Sequence, residues 1–347
     1  MPYRQLADRL EGGLSPAGSV VSLPDGSVDV YYRVFEGRTT PVETRERLAA
    51  LVADDRTSSV RVTPLAREPG GQAVNLARQV HALEVPVRLY GHLDDPVFDG
   101  LPFPTRSMGS PATVRVYDFE DDDLMLAEDS SDIATWDLEE LRAVPGAVRA
   151  VESATVLALV NWVSVPGTGA ALRDLPALDL EGTTVLVDPG DLTGCRAEEL
   201  RGFLGSLRRL AEATTVVLSA NPGETAALAA AEGTTSGETL ALLSAVRDRA
   251  DLGAAVSHGR DRAVASTPEG PVRVPNIATD RVERRTGGGD RFDGGLAAAL
   301  AAGWGWKPAL ALGNACASRF VATAETATVG DLLGFLQDVS GAGTDER

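Results

Sequence analysis

The segment RRTGGGDRFDGG, Arg284 to Gly295, puts three consecutive glycines directly before an acid and an alanine-rich run that reads as helix. Glycine loses more backbone freedom on folding than any other residue, so three in a row mark a place where bare main chain is needed. Glycines ahead of a helix leave amide N–H groups free to converge on an anion, and the helix N-terminus adds roughly half a positive charge. Asp290 then stands at the edge of an anion pocket. A carboxylate is a poor neighbour for a bound phosphate unless it works there. Its natural work is to accept the proton of a hydroxyl attacking the phosphoryl group that those amides hold. A plain helix cap suits an aspartate here as well, and the local sequence leaves both roles open.

Two further segments bear on that choice. GGQAVN, Gly70 to Asn75, is a Gly-Gly turn with an amide side chain one helical turn beyond it. NPGE, Asn221 to Glu224, directly follows the apolar run TTVVLSA, which places it at the carboxyl edge of a sheet, where ligands bind in α/β folds. A glutamate there is suited to a hydrated Mg²⁺, which keeps several waters and takes few protein ligands. In chain order the three segments make a phosphotransferase constellation: a sugar-side turn, a metal-side acid, and an anion hole with its base.

Other chemistries lack their residues. A P-loop needs Gly-Lys-Ser/Thr, and the single lysine, Lys307, stands between Trp306 and Pro308. VNWVSVPGTGAAL offers Gly167 and Gly169 after a strand, but Leu172 replaces the third glycine of a dinucleotide turn. Glu120 to Asp123 has an aspartate where an EF-hand loop needs glycine. His81, His92 and His258 share no metal-ligand spacing, and no Gly-x-Ser-x-Gly elbow occurs. Cys195 and Cys316 form neither a disulfide framework nor a metal cluster and are expected as small core residues.

The elements that must position these residues follow from the apolar pattern. Strands are expected at Val20–Leu23, Val28–Phe35, across SSVRVTPLA (58–66), and at Val87–Gly91, Val156–Val160, Thr184–Asp188, Val216–Ala220 and Ala254–His258. Helices are expected over the first residues, over PVETRERLAALVADD with Pro41 near its first turn, at Gln72–Leu83, and in two pieces after Gly289, the second with Pro308 near its start. The alternation predicts one α/β domain over 1–347, a three-layer α/β/α sandwich around a mostly parallel sheet. Segments 28–36 and 112–128, with 58–66 as a further candidate, form a small β-sheet over the main body. The tail GAGTDER reads as disordered.

The 347 residues carry a formal charge of −18, from 50 acidic and 32 basic residues, nearly all of the latter arginine. So acidic a balance argues against a nucleic-acid partner, and it suits a cytosol of very high salt, where screening relieves repulsion between carboxylates. No run approaches the ~18 apolar residues of a membrane span, and the N-terminus reads as an amphipathic helix rather than a signal peptide. A soluble cytoplasmic protein is the expectation.

The segments TGGGDRFDGGLAAALAAGW, PGGQAVNLARQ and NPGE resemble, respectively, the C-terminal signature, the N-terminal signature and the Asn-x-x-Glu motif of the ribokinase-like (PfkB-type) carbohydrate kinases, over about residues 20–336. The resemblance implies an enzyme that moves the terminal phosphoryl group of ATP to a hydroxyl of a sugar or sugar-derived substrate. Asp290 would be the general base, with Gly287, Gly288 and Gly289 forming the anion hole. Asp29, Gly70, Gly71 and Asn75 would bind the substrate. Asn221 and Glu224 would serve the Mg²⁺–phosphate network, Glu224 through water. Ser257 and Gly259 would touch the nucleotide, and Asn314 would border the adenine. The small sheet would be the family's lid, whose edge often pairs with a second subunit to make a homodimer.

There are departures from the family pattern. Arg284-Arg285-Thr286 stands where many members have Asp-Thr-Thr, which leaves activation by K⁺ open and lets an arginine supply positive charge instead. SHG replaces Thr-Leu-Gly and brings His258 toward the phosphates. VYDFEDDDLML is similar to a stretch of archaeal ADP-dependent sugar kinases, which keeps ADP as an alternative donor. A nucleoside kinase of the same fold and a non-catalytic sugar-binding regulator are the other readings.

Overall fold

The apolar runs become buried strands in the computed structural model, which describes residues 2–14, 18–120, 123–279 and 281–342. In chain order the first strands are β1 (Val20–Leu23), β2 (Ser27–Glu36), β3 (Thr40–Pro41), β4 (Arg61–Gly70), β5 (Val87–Gly91), β6 (Thr105–Ser107), β7 (Ala112–Tyr117) and β8 (Leu124–Glu128). Then follow β9 (Val156–Val160), β10 (Thr184–Asp188), β11 (Thr215–Ala220), β12 (Ala254–His258), β13 (Arg262–Thr267) and β14 (Gly270–Pro275). The helices are α1 (Pro2–Glu11), α2 (Arg45–Ala53), α3 (Gln72–Ala82), three short ones, α4 (Ser131–Thr135), α5 (Leu138–Ala143) and α6 (Ala147–Glu152), and then α7 (Thr168–Asp174) and α8 (Ala197–Ala211). They continue with α9 (Pro222–Ala231), α10 (Thr239–Ala250), α11 (Gly288–Ala301), α12 (Trp306–Thr323) and α13 (Val329–Ala342).

The main sheet has nine strands in the order β14-β13-β12-β11-β10-β9-β1-β5-β6. It is parallel from β12 to β6, and β13 and β14 close one side as an antiparallel hairpin. Parallel strands covered by helices on both faces are buried throughout, so side chains alternate between two cores. Val156, Ala158 and Val160 of β9 pack toward α3, α11 and α12, whereas Leu157 and Leu159 pack toward α7, α8 and α10. This is the mostly parallel α/β fold with helices on both faces.

The second sheet contains β3, β2, β7 and β8, with β4 paired along β2. It has its own small core of Val34, Val42 and Phe119. β2 and β4 run from this sheet back to the main one, ending beside each other at Ser27 and Gly70. The cover and the Gly-Gly turn are therefore parts of one continuous ribbon.

Two expectations change, and one hairpin is new. Pro41 lies in β3 and not in a helix; α2 starts later, where Thr44 Oγ1 accepts from the Arg47 amide at 3.1 Å. The strand expected at 58–66 continues to Gly70 through Pro64 and Pro69, because only one of its sides is paired. The hairpin β13–β14 escaped the sequence reading, although Pro268-Glu269-Gly270 is a turn signal between two alternating runs. Cys316 is fully buried and Cys195 half-buried; both are free. Of the tail, 341–342 end α13, and 343–347 lie outside the described residues, as do two residues of the acidic turn, 121 and 122.

Candidate active site

Every parallel strand near the centre of the sheet delivers a polar residue to its carboxyl edge. Asp25 follows β1, Asn161 follows β9, Asp188 ends β10, Asn221 follows β11 and His258 ends β12. Asp25 is buried, and its carboxylate accepts from the Gln72 amide at 3.0 Å, the Ala73 amide at 2.7 Å and Asn161 Nδ2 at 2.8 Å. It caps α3 from another element, since the N-cap itself is Gly71 (φ 99°), which has no side chain to offer. A Cβ on Gly71 would come within 2.9 Å of the Gly26 Cα, and one on Gly70 within 2.1 Å of the Asp29 carboxylate. Both glycines are therefore required by close approach.

Asp29 and Asn75 face the cavity this turn creates, which has a volume of about 460 Å³ and also takes in Asp25, Tyr31, Glu68, Asn161, Glu224, Arg284, Asp290 and Arg291. Ser27 Oγ donates to Asp29 Oδ1 at 2.6 Å, yet burial and the neighbouring Asp25 and Glu68 push its carboxyl up to about 6. Arg284 donates to Glu68 at 3.1 Å, and its guanidinium lies 4.6 Å over the ring of Tyr31. It is a wall of this cavity.

The glycine turn closes the far end. Gly287 (φ 88°) is the N-cap of α11, a left-handed position that favours glycine. Asp290 is the third helical residue and makes no cap; the helix start is not its job. Asn75 Nδ2 donates to Asp290 Oδ2 at 2.8 Å across 215 residues of sequence. Burial outweighs this bond and the nearby Arg291, leaving the Asp290 carboxyl raised to about 6. The Gly288 amide donates to the Arg285 carbonyl at 3.0 Å, whereas the amides of Gly287, Gly289 and Asp290 meet no acceptor among the described residues. The open donors at the helix mouth thus include Asp290's own amide and exclude that of Gly288.

A second cavity, of about 880 Å³, lies on the other side of the same turn. Pro222, His258, Gly259, Ile277, Gly288, Gly289, Phe292, Asn314 and Val321 line it, and Asn221 and Thr286 border both cavities. Asn314 is 1% exposed, and its Nδ2 is directed to Tyr3 Oη and the Val274 carbonyl, both at 3.2 Å, so its amide ties α12 to α1 and β14. Ser257 is buried and accepts from Thr225 Oγ1 at 3.2 Å; its neighbours His258 and Gly259 reach the cavity, and it does not.

Asn221 and Glu224 form a reciprocal cap for α9. Asn221 Oδ1 accepts from the Glu224 amide at 2.9 Å, while the Asn221 amide and Nδ2 donate to the Glu224 carboxylate at 2.7 and 2.6 Å. Burial, and then Asp188, raise the Glu224 carboxyl to about 8. A cation beside it would favour the charged form of this carboxyl. Each of its oxygens accepts one bond from Asn221 and keeps a lone pair, so a hydrated Mg²⁺, whose waters donate to such oxygens, fits this donor set.

Asp29, Gly71, Asn75, Asn221, Glu224 and Gly287–Asp290, separated in the chain, therefore meet around two adjoining cavities, with Gly70 packed against Asp29. Sequence reasoning missed Asp25, whose contacts are with amides 47 and 48 residues away, and Thr286, whose Oγ1 donates to Asp123 at 2.9 Å and ties the glycine turn to the second sheet.

A family model for prokaryotic ketohexokinase matches residues 17–339. A ketohexokinase of Haloferax volcanii is 30% identical over 281 residues, 77% of this chain and 74% of that protein. Among solved structures, a probable sugar kinase from Rhizobium etli superposes with a TM-score of 0.70 at 18% identity, covering 94% of this chain and 99% of the other. An adenosine kinase from Sinorhizobium meliloti gives 0.69 at 17%, covering 92% and 99%. With a site that joins a polar cavity to a helix mouth of open amides, the chain belongs to the prokaryotic ketohexokinase family, within the ribokinase-like sugar kinases that carry out ATP-dependent phosphorylation of a sugar hydroxyl.

Proposed function

We propose that the protein phosphorylates a ketohexose with ATP, the sugar binding in the cavity under the second sheet and the nucleotide in the larger one. The observation that carries this is the Asp290 carboxylate, oriented by Asn75 at the end of the polar cavity, next to the open amides of Gly289 and its own. Asp29 and Asn75 hold sugar hydroxyls. Asp290 accepts the proton of the attacking hydroxyl, and a carboxyl raised to about 6 suits a base working near neutral pH. The helix-mouth amides take up charge that develops on the migrating phosphoryl group. Asn221 and Glu224 would hold Mg²⁺ through water, and the ion when bound supplies charge neutralisation between the phosphates. The second sheet excludes water over the sugar.

An acid-rich acceptor cavity supports a substrate that presents many hydroxyls over one that presents a nucleobase. The acid excess and the near-absence of lysine support a high-salt cytosol as the setting. A homodimer through the second sheet is supported by its apolar edges: Val62 and Leu65 on β4, and Met125 and Leu126 on β8, are all exposed. Light scattering in molar KCl should give twice the chain mass.

The deciding experiment is a panel of ketohexoses, aldohexoses, sugar phosphates and adenosine with ATP or ADP, at molar KCl. Turnover greatest with a ketohexose and ATP is expected. Turnover only with adenosine, or only with ADP, defeats the proposal. Sugar binding that is indifferent to nucleotide, with no turnover of anything, would leave a regulator.

A further inference from the structure

Behind the glycine turn lies a group of side chains that the transfer reaction above does not use. Asp188 at the end of β10, His258 at the end of β12 and Asp293 in α11 each bring one metal-ligating atom within 4.8 Å of the others. Asp293 is 0% exposed, and neither of its carboxylate oxygens makes a well-formed hydrogen bond, although the Ser219 hydroxyl and the Asp188 carboxyl lie beside it. His258 Nε2 is also buried and without a partner. Asp188 is 5% exposed and accepts from the Gly190 amide at 2.8 Å through Oδ1. No ion pair reaches Asp188 or Asp293 among the described residues; Arg291, the arginine nearest in sequence to Asp293, donates to Thr326 and lies over Phe320.

An unpartnered, fully buried carboxylate is strongly disfavoured unless something neutralises it. A proton shared between Asp188 and Asp293 would satisfy one oxygen of each and still leave the imidazole nitrogen with nothing. A cation answers all three groups at once. We propose that Asp188, His258 and Asp293 bind a divalent first-row transition-metal ion of the Mn²⁺ or Zn²⁺ kind, at a site distinct from that of the nucleotide's Mg²⁺. One imidazole with two carboxylates favours such ions, whereas Mg²⁺ prefers oxygen alone and keeps waters for which a buried site has little room. The ion enters from the larger cavity, on whose wall His258 lies.

The site has a consequence for the turn above it. A Cβ on Gly289 would stand 3.1 Å from His258 Cε1, so the imidazole backs directly onto the anion-binding main chain. Fixing the ring with a metal fixes that wall. His258 acts here as a positioning residue.

The full-length protein, stripped with EDTA, is incubated with equimolar Mn²⁺ or Zn²⁺ in excess Mg²⁺, desalted, and its metal counted by mass spectrometry. One equivalent retained by the wild type is expected, with most of it lost in Asp293→Asn and in His258→Gln, and with Glu224→Gln retaining it. The idea is overturned by a wild type that keeps no metal, by displacement with Mg²⁺, or by variants that keep as much as the wild type. Should either variant fail to fold, the stripped wild type decides alone: its melting temperature rises with Mn²⁺ at fixed Mg²⁺ if the site exists, and stays still if it does not.

Discussion

The two cavities that meet at Thr286–Asp290 are built from different materials. The smaller is walled by ionisable side chains, Asp29, Glu68, Arg284, Asp290 and Arg291 among them, several with carboxyls or guanidinium shifted by burial. The larger is lined by glycine main chain and by apolar groups such as Pro222, Ile277, Phe292 and Val321, with charged side chains confined to Arg260, Asp261 and Arg285. With the sugar in the smaller cavity and the nucleotide in the larger, as proposed, selection of the acceptor and holding of the donor should be separable by mutation.

The largest break of that separation is expected at Asp290. Asp290→Asn should lower kcat by at least the ~100-fold typical of general-base catalysis, with ATP affinity by calorimetry unchanged. A loss of ATP binding in that variant would move Asp290 to the donor side. Next comes Asp29→Ala. Losing a hydrogen bond from a charged group, worth about 1.5–3 kcal/mol, should raise the sugar KM by roughly ten- to a hundred-fold, leaving the KM for ATP where it was.

The pH profile gives a smaller, sharper reading. Asp290 works deprotonated, so kcat/KM should be full above its pKa and fall as pH drops through about 6. The Asn75 bond favours the carboxylate, so Asn75→Ala should move that acid limb upward. A limb that moves down, or does not move, would mean that the bond seen here is not felt by the base. The smallest effect is on the donor side: Asn221→Ala removes the cap of α9, about 1 kcal/mol of stability, and should raise the KM for ATP with the sugar KM held.

The sequence was most readable where burial is complete. Val156–Val160 and Thr184–Asp188 were delimited to the residue because a parallel strand covered on both faces has to be apolar throughout. β13–β14, at the sheet's edge, carries arginines on an outward face and hides among loop-like residues. Within the site, the glycine turns, Asn75 and Asn221–Glu224 were visible because bare backbone and caps are local features. Asp25 and the Asp188–His258–Asp293 group were not, since their meaning lies in contacts with distant strands. Asn314 and Ser257 were assigned from the family resemblance; Asn314 lines the larger cavity while its Nδ2 bonds inward, and Ser257 is buried beside His258.

Thr286 and Asn221 are shared by two chambers whose remaining walls are separate. With the sugar in one and the nucleotide in the other, as proposed, either should bind without its companion. Calorimetry with the sugar alone and with ATP–Mg²⁺ alone should then show binding in both titrations, as random addition requires.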